Sequence, residues 1–137
     1  MKGTVFMTRI PTNDRDLLEK AIYLPMLLII LNRDYTLIKN SPFKLPKPYL
    51  TWLSETMKAV QHDLAHVKTL MRKRRMKVEK LDSDDSFTMY LFHYKGYVEQ
   101  HNYFNPRLRN KVEELLRFYL YERFQLPTNG EKTRQKK

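Results

Sequence analysis

Two histidines four residues apart, His62 and His66, with Asp63 between them, form the segment of this chain whose residue types and spacing come nearest to catalysis. At that spacing on a helix both imidazoles lie on one face and could share a metal ion. The order resembles the His-Glu-x-x-His arrangement of zinc hydrolases, with Asp63 where their glutamate base stands. A shorter carboxylate would have to reach a metal-bound water from a different place. The adjacent apolar seam (Val60, Leu64, Val67) puts both histidines on the solvent side, so a solvated pair is expected. A His-Asp phosphohydrolase needs a further histidine upstream, and none precedes His62. His93, Glu99 and His101 could join His62 and His66 in a carboxylate-bridged metal bundle, but the Glu-x-x-His spacing of such sites is missing. Ser54, Ser83 and Ser86 have no neighbouring histidine, there is no glycine-rich phosphate loop, and the absence of cysteine excludes thiol chemistry and disulfides. The expectation is a protein that is not an enzyme and carries no cofactor or metal.

Charge is the stronger signal. The formal net charge is +11 over 137 residues. It is densest from Lys68 to Lys80, where Arg72, Lys73, Arg74 and Arg75 are consecutive. A helix C-terminus welcomes one or two cations against its dipole. Four in a row exceed that need and suit the neutralisation of phosphates. Lys68, Arg72, Lys73, Arg74, Arg75 and Lys77 are therefore the candidate contacts to nucleic acid or to an acidic protein surface. Arg107, Arg109 and Lys111 form a second basic group at a helix start, where free backbone donors add to an anion site. Arg109 has an alternative use, an i,i+4 pair with Glu113.

These side chains need elements to hold them. Residues 1–12 read as a flexible leader, with Met7 as a second candidate start, and residues 127–137 as a disordered basic tail. The segment between, residues 13–126, reads as one helical domain. A first helix is expected from Asp14 to Lys39, capped by Thr12 or Asn13 and kinked at Pro25. Its apolar run Ala21–Leu31 is too short to cross a bilayer and reads as core. The three prolines of residues 40–48 make a rigid connection. A second helix follows to about Arg74, with Leu50, Leu53, Met57, Val60, Leu64, Val67 and Met71 as its seam. Lys77–Ser86 reads as a charged connector. Asp85 or Ser86 then caps a third helix over 87–104, whose Tyr94, Tyr97 and Tyr103 should show hydroxyls at the surface. Asn105-Pro106 opens a fourth helix to about Phe124 with Leu108, Val112, Leu115, Leu116 and Tyr119 inward. The sum is a mainly α, four-helix antiparallel bundle. The alternative is three helices with a β-hairpin between Met76 and Tyr94.

The stretches MTRIPTNDRDLLEKAIYLPMLLIILNRD, SPFKLPKPYL and FTMYLFHYKGYVEQHNYFNPRLRNKVEELL resemble, as a whole-chain pattern, the small YhjD-like proteins of Bacillus and related spore formers. The resemblance runs from Met7 to about Arg123. It implies a Gram-positive, cytoplasmic setting and a sporulation-stage role, and it transfers no active-site residue. The expected function is a basic binding protein that meets nucleic acid or a nucleoprotein partner electrostatically. The alternative is a protein-interaction module or homodimer using a tyrosine-rich surface, and a metal-dependent bundle enzyme comes third.

Overall fold

Helix α1 (Thr12–Lys39) runs through Pro25 without ending there. This computed structural model describes residues 10–125; the expected leader, up to residue 9, and the basic tail lie outside the described residues. A short proline-rich connection leads to α2 (Lys47–Lys73), with Pro48 in the first turn. Three antiparallel strands follow, β1 (Met76–Ser83), β2 (Phe87–Tyr94) and β3 (Tyr97–Phe104), side by side in that order. The chain then enters α3 (Asn105–Leu120) and a final 3-10 turn, Glu122–Phe124.

The molecule is therefore α+β, and the four-helix, all-α expectation is overturned. The expected third helix is two strands, and the expected charged connector is a strand as well. The alternative hairpin of Met76–Tyr94 is present as β1 and β2, extended by a third strand. The physical reason lies in β2. Thr88, Tyr90, Phe92 and Tyr94 alternate strictly into the core, while Phe87, Met89, Leu91 and His93 take the other face. Apart from Thr88, both sets are apolar or aromatic, so the period-two pattern is masked and the segment imitates a helix. The turn after Tyr94 was the decisive signal. Lys95 and Gly96 both have positive φ (48° and 93°), as a two-residue hairpin turn with the right twist requires. Alternation read straight through that turn compares residues on opposite strands.

The first turn of the sheet uses an aspartate. Asp84 Oδ1 accepts the backbone N–H groups of Ser86 and Phe87, each at 2.8 Å. These two donors hold its carboxyl below the ordinary aspartate range. The turn is closed by Asp84, and neither Asp85 nor Ser86, the residues expected to cap a helix here, caps one, because a strand follows. Asn105 likewise does not cap α3 through its side chain. Its Oδ1 accepts from the Thr88 hydroxyl at 2.7 Å and its Nδ2 donates to the Asp84 carbonyl at 2.9 Å, which fastens α3 to the sheet.

One apolar core joins all layers. Leu18, Leu27 and Leu31 of α1 are fully buried against Val60 and Val67 of α2, Phe92 of β2, and Leu108 and Val112 of α3. By length and composition α1 could also cross a bilayer. Leu18, Ile22, Leu24, Leu27 and Leu31 are instead spent in this core, while Ile29, Ile30 and Leu37 remain exposed. The seam of α2 is deepest at Leu53, Val60, Leu64, Val67 and Met71. Lys68, Arg72 and Lys73 stand on its exposed side. The hydroxyls of Tyr94 and Tyr103 are not surface groups. They donate to Asp14 and Glu19, each at 2.7 Å, and tie the sheet to the first turns of α1.

Candidate anion-binding surface

The corner where α2 gives way to β1 is built by two residues in the left-handed region. Arg75, with φ 58°, takes the position after the helix that glycine usually fills, and it reverses the chain into β1. Its carbonyl accepts the N–H of Lys95 at 3.2 Å, so the tip of the β2–β3 hairpin is pinned to the end of α2. Four cations, Lys73, Arg74, Arg75 and Lys95, consequently line one surface depression of about 300 Å³. Lys95 was not among the sequence candidates. The Lys-Gly turn could have revealed it, because the turn sends β3 back along β2 and fixes where the tip lies.

Arg74 is engaged within the chain. Its Nη1 donates to Asp14 Oδ1 at 2.8 Å while Tyr94 donates to the other oxygen. The tyrosine hydrogen bond, joined by the guanidinium, holds the Asp14 carboxyl below its usual range, although burial opposes this. The same bond, with burial, raises the Tyr94 phenol. Among the described residues, Lys68, Arg72, Lys73, Arg75 and Lys77 take part in no ion pair. All five are exposed.

The second basic group is reached along a trough. One lobe, about 330 Å³, is lined by Lys68, Arg72 and Lys77 beside Met71 and Met76. The next lobe, about 460 Å³, has Lys80 and Arg109 on its wall. Ala21 and Val78 line both lobes, so the two adjoin along these residues. Lys111 is occupied with Glu114 at 3.6 Å. Arg109 makes no ion pair among the described residues, so the expected bond to Glu113 does not form. Arg107 is exposed, and its charge offsets part of the rise of the nearby Tyr23 phenol, which burial and Glu19 push to about 12.

Among the described residues, no further ligand joins the histidine pair to hold a metal ion. His62 is 84% exposed and its Nδ1 lies 3.3 Å from Asp63 Oδ1. The other oxygen of Asp63 accepts the Tyr119 hydroxyl at 2.5 Å, which fastens α2 to α3. His93 pairs with Glu79 at 2.7 Å across β1 and β2, and His101 with Glu99 at 2.9 Å on β3. Among the described residues no three histidines or carboxylates come together in a way that could hold a metal ion.

The whole-chain pattern has its counterpart among known proteins. The chain is 45% identical over 106 residues to "Uncharacterized protein YhjD" of Bacillus subtilis (strain 168), which covers 77% of this chain and 88% of that protein. No solved structure matches. The family model described as YhjD protein matches residues 9–124, nearly the whole described fold, and the chain belongs to the YhjD family.

Proposed function

We propose that this protein is a non-enzymatic binding protein that contacts nucleic acid through the corner between α2 and β1. The observation that supports it most is the convergence of Lys73, Arg74, Arg75 and Lys95 on one depression, where, among the described residues, only Arg74 is held by a carboxylate. Lys68, Arg72 and Lys77 extend the same positive surface. The residues lining the depression are all cationic, with no apolar residue among them, which suits phosphates and offers little reading of bases. Binding of this kind releases counterions and weakens steeply with salt.

The test is fluorescence anisotropy with duplex and single-stranded oligonucleotides over a salt series. Three or four phosphate contacts give a slope of log affinity against log salt of roughly −3 on duplex DNA. The combined Lys73→Glu, Arg75→Glu, Lys95→Glu protein should lose most of the affinity and flatten the slope. An absence of binding at low salt, or a slope unchanged by these substitutions, overturns the proposal.

A second reading is a homodimer formed through the outer face of the sheet. Phe87 and Phe104 pack ring to ring there at 5.4 Å, yet are 47% and 49% exposed. The tyrosines expected on a third helix lie on strands, while Tyr119 is on α3 as expected of the fourth helix. A mass that stays monomeric at high concentration in analytical ultracentrifugation removes this reading.

A further inference from the structure

The trough beside the corner has a different chemistry. Its floor is apolar: Pro25, Met26 and Ile29 of α1, with Val78 of β1, Tyr90 of β2 and Leu108 of α3. Its walls carry Lys68, Arg72 and Lys77 at one end and Lys80 and Arg109 at the other, and no carboxylate lines either lobe. It is an open channel and not an enclosed cavity. Ile29 is 70% exposed in it, a large aliphatic side chain that the chain's own core does not use.

We propose that this trough receives an acidic amphipathic helix from a partner protein. The dimensions fit. Ala21 to Ile29 covers about 12 Å of helix axis, and three apolar anchors at i, i+4 and i+7 of a docked helix cover about 10.5 Å. Acidic residues before and after those anchors would meet the two cationic ends. An acyl chain with one anionic head would leave the second cationic end unmatched and much of its own length in water. The segments of this chain outside the described residues are unsuited by charge, since Lys2, Arg9, Lys132, Arg134, Lys136 and Lys137 have the same sign as the walls. Pro25 adds a polar feature to the floor. It has no N–H to donate to the Ala21 carbonyl, and Ala21 lies where the two lobes meet. This proposal goes beyond nucleic-acid binding and stands without it.

The probe is a fluorescein-labelled peptide of about 16 residues, with leucines at i, i+4 and i+7 and glutamates on both sides of them. The control has the same composition with its leucines spread around the helix. Anisotropy with the full-length protein should show saturable binding of the probe and not of the control. Arg109→Glu and Ile29→Gln should each weaken it roughly tenfold. Ile29 is too exposed for Gln to disturb the core, and circular dichroism verifies the fold. The proposal is overturned if probe and control bind alike, if Ile29→Gln leaves probe affinity unchanged, or if dodecyl phosphate binds saturably where the peptide does not. Oligonucleotide affinity is measured on the same Ile29→Gln protein and should be unchanged. Loss of peptide binding there reports the trough, whereas a wild-type protein that binds peptide and no oligonucleotide removes only the corner's role.

Discussion

At the scale of single residues, Asp14 shows how the chain turns a carboxylate into a fastener. Its side chain is 13% exposed and receives both Tyr94 and Arg74. Because its folded-state pKa lies below the ordinary aspartate range, it stabilises the fold at pH values above that range. That contribution is lost as pH falls through the lowered value. Asp14→Asn should therefore cost roughly 1 kcal/mol at neutral pH, and the difference from wild type should shrink below about pH 4. Urea titrations at pH 7 and pH 3 check both halves. Gly96 is a second case. A Cβ added there meets nothing within 4 Å, so only its φ of 93° resists a side chain. Gly96→Ala should destabilise by about 1 kcal/mol through the backbone alone, read from the same titrations. Much at this scale was legible beforehand. The basic run, the exposed histidines and the inward Leu108 and Val112 follow from residue type and helical spacing. The partners of Arg74 and Asp63 were not legible, because sixty and fifty-six positions separate them from Asp14 and Tyr119.

At the scale of elements, the three long helices could be read, and of the sheet only the hairpin of Met76–Tyr94, as the alternative. α1 declares itself through a long glycine-free segment that continues past Pro25, and α2 through a long breaker-free run with a seam confirmed at Leu53, Val60, Leu64, Val67 and Met71. β2 hides because it is apolar on both sides. β1 hides because it lies at a sheet margin, where most of its side chains meet water and its composition imitates a loop. The inner side of β2 carries the weight of the sheet. Phe92 is fully buried, touches both helices' layer through the common core, and stacks on His101 at 4.3 Å. Phe92→Ala should cost about 3–5 kcal/mol by removing a large core side chain. Leu91→Ala on the opposite face should cost clearly less. Denaturant midpoints of the two variants decide whether this segment is a strand with an inside and an outside.

For the whole molecule, the net charge of +11 sets the terms of stability and encounter alike. So many cations repel one another, and the corner and trough gather them where few carboxylates answer. Sulfate should therefore raise the unfolding temperature more than chloride does at equal ionic strength, by about 2–4 °C if the cations form a true anion site. Differential scanning fluorimetry shows it, and equal effects of the two salts would leave only general screening. The sequence revealed that such a surface exists. Where it lies depends on the Lys95 turn and on the path of β1 past α1, both of which are products of the sheet.

The slip in β1 between Lys80 and Asp82, which leaves Leu81 without a cross-strand partner, has a consequence of its own. A straight outer margin would offer a row of unpaired amides to any neighbouring chain. The irregularity bends that row, and Lys77, Glu79 and Lys80 surround it with charge. Removing Leu81 would straighten the margin and take away the twist that discourages strand-to-strand polymerisation. The shortened chain should then form thioflavin-positive fibrils under conditions where the natural one stays dissolved.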